Sequence, residues 1–300
     1  MRKQILLFFL LALPFCGAAQ QDWLNTQYMF NLFDINSAYA GNHRTPSIAL
    51  RHRSQWLGME GAPSSQYLSY HMPLWKERLG VGAKVLRESI GLREQFMVRG
   101  SGAYKVRLAK GRLAFSISTA VISQRARIDK IVARDAVDAV WDNAQMRSTS
   151  VSFDAAVFYH TKRWFVGSEW MHLNRGQAQW NANSQSRFYI HGNLLAGWHL
   201  PLSEKHLFTI TALGRYTEGV QLLGEGNVSY LYDNKIQLGA GYRQSNGMIA
   251  FAQAQVNPHV RIGYSFDLST SPLPNAHSGS HEIFLNFTPG KTQFPSIRYF

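Results

Sequence analysis

The sequence has a single cysteine, few charged residues and no long apolar run. Charged residues make up 16% of the 300 residues, well below the roughly 25% of an average soluble protein. A highly solvated, disordered or coiled-coil chain is therefore excluded. No apolar run reaches the roughly 18 residues that a membrane-spanning helix requires, and the mean hydropathy is −0.21. A polytopic helical membrane protein is excluded as well.

The first residues have the three-part pattern of a secretory signal peptide. Arg2 and Lys3 form a basic start, residues 5–15 are apolar, and residues 17–19 are small. This arrangement is typical of an exported precursor, and the apolar stretch is too short to span a bilayer. We predict a signal peptide over residues 1–19; the alternative is a buried N-terminal strand or helix.

Export changes how the cysteine and the charge are interpreted. Cys16 lies inside the predicted leader, and Phe15 before it disfavours a lipoprotein site, which needs a small residue there. The mature chain would then have no disulfide and no thiol nucleophile. Lys+Arg minus Asp+Glu is 31 − 18 = +13, which favours nucleic acid, an anionic surface or an anion path. Because an exported protein rarely meets nucleic acid, we predict no nucleic-acid partner.

From residue 47 onward the hydrophobicity alternates with a period of two. In residues 93–108, for example, Phe96, Val98 and Tyr104 share one face while Arg99 and Lys105 share the other. Such alternation is typical of strands with two different faces. The sequence contains about fourteen such segments: 47–56, 65–74, 79–88, 93–108, 112–124, 150–161, 163–173, 187–200, 206–217, 220–232, 235–244, 248–257, 258–268 and 280–288.

The connections between these segments also differ in length in an ordered way. Those after segments four, six, ten and twelve are short, whereas residues 125–149, 174–186 and 269–279 form long ones. The connections near Glu218 and Ser245 are exceptions, since they are short but belong to the same end as the long ones. Outer-membrane barrels have short periplasmic turns and longer outside loops. We therefore predict an all-β, antiparallel, transmembrane outer-membrane β-barrel of about 14 strands, whose chain starts in the periplasm.

A secreted β-sandwich or a lipocalin-like barrel would give the same alternation. Two features favour the membrane barrel: the high number of strands, and aromatic residues near strand ends, as in the girdles at membrane interfaces. The aromatic residues interpreted in this way are Trp56, Tyr67, Trp75, Trp164, Trp170, Trp198 and Tyr232.

The remaining segments have no period of two. Residues 20–46 are rich in aromatic and amide side chains, and we predict an ordered N-terminal plug or periplasmic lid; the alternative is a missed first strand. Residues 47–288 are the predicted barrel, and 289–300 a tail or final strand. We expect a short helix within residues 129–141 of the longest loop.

The sequence offers little evidence of catalysis. GxSxG, HExxH and Walker motifs are absent, and the glycine pairs in Gly80-Val81-Gly82 and Gly224-Glu225-Gly226 lack the helix that a phosphate loop requires. Ser69 and His71 share a predicted strand face, as do Ser168 and His172, but neither pair has a recognisable context. We predict no catalytic residues, no cofactor and no metal site.

The predicted inward faces carry many charges, which would pair with one another, hold a plug or favour anion passage. The cations are Lys84, Arg99, Lys105, Arg107, Arg112, Arg187, Arg215, Lys235, Arg243 and Arg261, and the carboxylates are Asp154, Glu169, Glu225, Asp267 and Glu282.

Several short motifs, in their order and spacing, resemble the PorP/SprF membrane proteins of the type IX secretion system. The resemblance covers nearly the whole mature chain. The matching stretches are Gln27-Tyr28-Met29-Phe30-Asn31, Ile35-Asn36, Ala38-Tyr39-Ala40-Gly41, Arg53, Gln55-Trp56, Gly58, Gly61-Ala62-Pro63, Leu79-Gly80-Val81-Gly82, His172-Leu173-Asn174, Tyr242-Arg243, Ile262-Gly263-Tyr264-Ser265-Phe266-Asp267 and Gly279-Ser280-His281-Glu282-Ile283. The family commonly ends with an Arg-Cys-Pro-like stretch before a terminal Phe, whereas this sequence ends Ser296-Ile297-Arg298-Tyr299-Phe300.

The resemblance implies a non-enzymatic outer-membrane barrel that supports secretion or surface attachment of partner proteins, including gliding adhesins. The implied partners are the C-terminal domain of a secreted or cell-surface protein and periplasmic secretion or motility components; outer-membrane lipid surrounds the barrel. We expect residues 27–41 to plug the lumen, and loops 125–149 and 269–278 to contact the secreted partner. The alternative is an outer-membrane transport channel for anions or small hydrophobic molecules.

Overall fold

The fold is a closed, antiparallel, 14-stranded barrel. The structure is a computed structural model, and it describes residues 25–43, 45–75, 77–127, 145–181, 184–244, 247–269 and 278–289. No helix within these ranges is long and apolar enough to cross a membrane. The strands are β1 Ser47–Ser54, β2 Ser64–Leu74, β3 Leu79–Ile90, β4 Arg93–Leu108, β5 Gly111–Arg127, β6 Gln145–His160, β7 Trp164–Met171, β8 Gln177–Asn181, β9 Ser184–Arg187, β10 His191–Pro201, β11 His206–Thr217, β12 Leu223–Tyr232, β13 Ile236–Arg243, β14 Gly247–Asn257, β15 Val260–Leu268 and β16 Ser280–Phe287.

Each barrel strand pairs with its neighbours in the sequence, except that β7 pairs with β10 and that β1 pairs with β16 to close the sheet. Closure removes both sheet edges, which is the condition for a sheet to span lipid. Along each strand, buried side chains alternate with exposed ones, and the exposed positions are mostly large and apolar, such as Ile117 and Leu194. The barrel and the strand number predicted from the alternation are confirmed.

The strand β1 starts, and β16 ends, at the end of the barrel where the connections are short. We call this the short-turn end and the opposite one the long-loop end. By the rule for outer-membrane barrels, the short-turn end faces the periplasm. The longest connection, residues 128–144, and residues 270–277 of another lie outside the described residues, as do the signal peptide, the predicted helix and residues 290–300.

The long connection predicted over residues 174–186 contains two strands of its own. Here β8 and β9 form a separate two-stranded sheet. Arg187 belongs to β9 and is exposed, so it does not line the lumen. The predicted segment 187–200 joined Arg187, the last residue of β9, to β10, because a period of two does not show where one strand ends and another begins.

Three further side chains do not lie where the sequence predicts: two predicted to face the lumen are exposed, and one predicted to lie in an aromatic girdle is in the lumen. Lys235 is in the turn before β13, is exposed and pairs with Asp233 at 2.8 Å. Arg107 is exposed near the short-turn end of β4, where the strand runs out of the barrel wall. Tyr67 is buried in the lumen in the middle of β2 rather than in an aromatic girdle. The strand register, not proximity to a predicted strand end, determines its direction.

Residues 25–43 fill the lumen, and we call them the plug. The plug contains three short 3-10 helices, Tyr28–Phe30, Leu32–Asp34 and Ser37–Tyr39. Its last residues lie at the short-turn end, where Asn42 contacts His160 at the end of β6. Its first residues lie at the long-loop end, where Thr26 contacts Asp267 near the end of β15. The plug therefore runs through the length of the barrel.

Two glycines of β3 make room for the plug. A Cβ on Gly80 would lie 1.9 Å from the carbonyl oxygen of Ala40, and one on Gly82 would lie 2.3 Å from the ring of Phe33. Gly41 of the plug has a φ of +62° and packs against the backbone of β2. The glycine pair of the Gly80-Val81-Gly82 stretch thus serves close approach of backbone to backbone, one of the uses of glycine in a strand.

The β8–β9 hairpin covers the lumen at the long-loop end. Its Ala178 is buried together with Phe188, and Trp180 packs against the same cluster, which includes Leu86 and Ile122 of the barrel wall. Phe188 stacks on His172, with ring centroids 4.9 Å apart. Plug and hairpin together occupy the inside of the barrel.

Candidate functional site

The first plug residue with a full set of side-chain partners is Thr26. Its hydroxyl donates to Asp267 at 2.9 Å and accepts from Arg53 at 2.9 Å and from Arg243 at 3.1 Å. A hydroxyl has one donor and two acceptor positions, so all three are used. These side chains are almost completely buried, and Arg53 and Arg243 also bind the Asp267 carboxylate, at 2.7 and 3.0 Å.

Glu282 of β16 holds the backbone of the plug. Its carboxylate accepts hydrogen bonds from the backbone N–H groups of Thr26 and Gln27, at 3.1 and 2.9 Å, and its own carbonyl accepts from the Gln27 side chain at 2.9 Å. Charge-assisted hydrogen bonds of this kind are about twice as strong as neutral ones. Glu282 also lies 3.6 Å from both Arg51 and Arg53.

A second group of charges holds the middle of the plug. Asp34 pairs with Arg51 of β1 and accepts from the Asn31 side chain at 2.9 Å. Ser37 donates to Glu169 of β7 at 2.6 Å and accepts from Lys84 of β3 at 3.2 Å.

The chain of charges continues along the barrel wall. Arg99 of β4 lies 3.0 Å from Asp154 and 3.9 Å from Glu169. Arg243 binds Glu225 at 2.6 Å, and Arg215 lies 3.8 Å from the same carboxylate. The five inward carboxylates predicted from the sequence are therefore all buried in the lumen and all in contact with arginine.

Apolar contacts complete the fit of the plug. The Phe30 ring packs against Phe251 and Phe284, with centroids 5.6 and 5.8 Å away. The Tyr39 ring meets Phe158 edge-on at 5.4 Å. Tyr28 is fully buried, and its hydroxyl accepts from Asn227 at 2.9 Å. Met29 is half-buried between the two clusters.

His43 ends the plug in a basic environment. Burial lowers the pKa of His43 to about 3, with further lowering by the positive charges of Arg261 and Lys105. Its ring also lies 5.3 Å from that of His71 and 5.7 Å from that of Tyr39. The imidazole is accordingly neutral near pH 7.

The structure brings most of the family-motif residues together inside the lumen. Asn36 donates to the Val157 carbonyl at 3.0 Å, and its side chain caps the third 3-10 helix. Gly41 N–H donates to His71 at 3.1 Å. The motif residues with plug or lumen contacts are Gln27, Tyr28, Met29, Phe30, Asn31, Asn36, Tyr39, Gly41, Arg53, Asp267 and Glu282.

Three motif residues lie elsewhere. Gln55 is buried just beyond β1, and Trp56 follows it with a φ of +50° and a backbone N–H that donates to Ser280 at 3.2 Å. His281 is on the outer face, where its ring contacts the Tyr264 hydroxyl at 2.6 Å. His281 and Glu282 therefore point to opposite sides of the sheet, as neighbours in a strand do.

The two Ser–His pairs do not form a lipid-facing site. Ser69 and His71 are buried in the lumen, where Asn31 and Gly41 of the plug bind them. Ser168 lies on the outer face of β7, whereas His172 follows the strand with a φ of +60° and stacks inside on Phe188. Within the described residues, no three His, Cys, Asp or Glu side chains are placed to hold a metal ion.

The family is decided by a match that covers nearly the whole sequence. The protein family described as type IX secretion system membrane protein PorP/SprF matches residues 17–287. The chain belongs to the PorP/SprF family. Membership and the closed barrel together identify a type IX secretion barrel of the outer membrane, and both favour a protein without catalytic activity. No curated protein matches the chain.

The PorP/SprF chain is also similar to solved outer-membrane proteins at low sequence identity. The outer membrane protein Omp33 of Acinetobacter baumannii is 9% identical, with a TM-score of 0.47, over 82% of this chain and 99% of that one. The toluene transporter TbuX of Ralstonia pickettii is 9% identical, with a TM-score of 0.47, over 84% and 89%. These values are too low to carry a functional argument.

The sequence did not reveal the β8–β9 hairpin or Asp34 as a partner of the barrel wall. Asp34 is the only acidic residue in the plug (residues 25–43), and its isolated charge in an aromatic, amide-rich segment was an available signal. The sequence signal of the hairpin was weaker, because its strands β8 and β9 have only five and four residues.

Proposed function

We propose that this PorP/SprF protein binds the C-terminal domain of a secreted partner at the long-loop end and supports its secretion or surface attachment, in some cases of a gliding adhesin. The observation that carries the proposal is the filled lumen. Plug and hairpin occupy the path through the barrel, so a folded partner is best accommodated outside it.

The geometry provides a rigid support for such a partner. The β4, β5 and β6 strands have 16, 17 and 16 residues and are the longest in the barrel, whereas about 9–11 residues are enough to cross a membrane. They therefore extend beyond the bilayer, and β5 and β6 are joined by the connection 128–144. Loops on a rigid scaffold are the usual place for binding residues.

The test replaces residues 128–144 by a short turn that joins β5 to β6. We expect the secreted partner to be lost from the cell surface while the barrel remains in the outer membrane at its normal level. A matched replacement of residues 161–163, at the short-turn end, should leave surface attachment intact. Unchanged surface proteins and gliding in the first variant would contradict the proposal.

The alternative function is a transport channel for anions or small hydrophobic molecules. A cationic lumen motivated it, but Arg51, Arg53, Arg99 and Arg243 are all ion-paired. Planar-bilayer recording separates the two functions, because a transport channel should give a stable, anion-selective open pore in the intact protein, whereas a plugged barrel should stay closed.

A further inference from the structure

A row of polar side chains crosses the membrane-facing surface of the barrel. His52 of β1 pairs in register with Gln66 of β2, and Gln66 pairs with Arg87 of β3. All three side chains are exposed on the outer face. The Gln66 amide lies 3.5 Å from the His52 ring, so the two groups are neighbours on the surface.

An apolar groove adjoins this row. It has a volume of about 420 Å³ and opens outward between β16, β1, β2 and β3. Its apolar walls are side chains of the outer face, and the polar row forms part of its lining. The apolar lining residues are Leu50, Leu68, Val85, Ile283 and Leu285.

The position of the row along the membrane normal matters for its chemistry. Arg87 is eight residues from Leu79, the first residue of β3 at the short-turn end. At about 3.3 Å per residue and a tilt of about 40°, this separation is about 20 Å along the normal. The apolar band of such barrels is about 25 Å tall. Arg87 therefore lies toward the outer edge of the band, where a charge on the lipid face costs little.

The charge of the row is positive. Among the residues that the structure describes, Arg87 has no ion-pair partner, and Glu94, the outward carboxylate on the neighbouring β4, binds Arg127 at 3.2 Å. A guanidinium is well suited to phosphate because it offers several donors in a planar arrangement. His52 and Gln66 add donors on the same surface.

We propose that this surface binds an anionic, phosphate-bearing lipid of the outer leaflet. Arg87, with His52 and Gln66, binds the phosphate, and an acyl chain lies in the apolar groove. The membrane-facing position, the apolar walls and the positive charge all point to this class of ligand. The site is independent of the plug and of the proposed partner binding.

The test uses the full barrel, purified in detergent and analysed by native mass spectrometry for bound lipid. Phosphatidylglycerol supplies phosphate and chains, diacylglycerol with the same chains supplies no phosphate, and glycerol phosphate supplies no chains. We expect retention of phosphatidylglycerol only. Arg87→Gln should reduce retention about tenfold, as expected for loss of a charged hydrogen bond.

Two further variants complete the design. Val85→Phe, which fills the groove without changing the charge, should also reduce retention. Arg163→Gln, an exposed cation in a short turn, should bind as the wild type does. Heat-dependent migration on gels establishes that each variant is folded. Equal retention by the wild type and Arg87→Gln, or equal binding of diacylglycerol, would overturn the proposal.

Discussion

At the scale of single residues, the plug depends on polar side chains that have several partners at once. Thr26 is the clearest case, because one hydroxyl joins two arginines and a carboxylate. Removing one member of a buried charged network leaves the other groups without compensation, which costs more than the net contribution of the bond itself.

We predict that Thr26→Val destabilises the barrel by about 1–3 kcal/mol, because Val keeps the shape but leaves buried arginine and carboxylate groups unsatisfied. Equilibrium unfolding in urea, with the protein in lipid or detergent, measures this loss. Thr149→Val is the control, since Thr149 is exposed on β6 and its replacement should change the free energy of unfolding by less than about 0.5 kcal/mol.

His43 makes the plug sensitive to acid. Its pKa in the fold, about 3, is below the ordinary value of about 6.5, so the unfolded chain binds a proton in this range while the folded one does not. Stability is complete above about pH 6.5 and falls as the pH decreases toward 3, by up to about 1.4 kcal/mol per pH unit for this group.

His43→Gln should therefore flatten the dependence of the unfolding free energy on pH between about 6.5 and 3, relative to the wild type. Unfolding curves at a series of pH values provide the measurement. The other titratable groups are the same in both proteins, so the difference between the two curves reports on His43 and its contact with His71. Parallel curves for the two proteins would refute this role.

At the scale of elements, β3 is shaped by the plug. Gly80→Ala would place a Cβ 1.9 Å from the Ala40 carbonyl oxygen, and the backbone of the plug would have to move. We expect a less stable plug, measured as faster protease cleavage within residues 25–43. Gly102→Ala is the matched control, because nothing lies within 4 Å of a Cβ there; equal cleavage of the two variants would contradict the prediction.

The sequence predicted the strands well because each has two chemically different faces, lipid outside and a polar lumen inside. Strand β4 illustrates this, since its faces separate Phe96 and Tyr104 from Arg99 and Lys105 over residues 96–105. The hairpin β8–β9 is not part of the barrel wall and has no lipid face, so it lacked this signal. The function of Gly80 could not be seen either, because its partner Ala40 is distant in the sequence.

The contacts between the plug and the charged side chains of the lumen could not be predicted for the same reason. Alternation placed Asp267 and Glu282 on the inward face, but not in contact with Thr26, because they lie 241 and 256 residues from it in the sequence and reach it only when the sheet closes. Arg107 and Lys235 show the opposite error. The alternation places both on the inward face. Arg107, however, lies near the end of β4, and Lys235 lies in the turn before β13 begins.

At the scale of the whole molecule, the plug determines whether the barrel is closed. Deleting residues 25–41 while keeping the leader should open the lumen and remove Asp34, the partner of Arg51. The lumen would then contain an excess of cations, including Lys84 and Lys105, and we expect anion-selective conductance in planar bilayers. The intact protein is the control and should conduct little; a closed deletion variant would show that the hairpin alone blocks the path.

The contacts of Glu282 and Arg53 have a consequence for biogenesis. These residues face each other across the pair β1–β16, the seam where the first and last strands of the barrel meet. Thr26 binds both of them, and so the plug spans the seam from inside. The N-terminal segment emerges first during export, whereas β16 arrives last. The segment that fills the barrel therefore also holds its last strand pair together from inside, and an assembling chain that has lost the plug would have a weaker seam there.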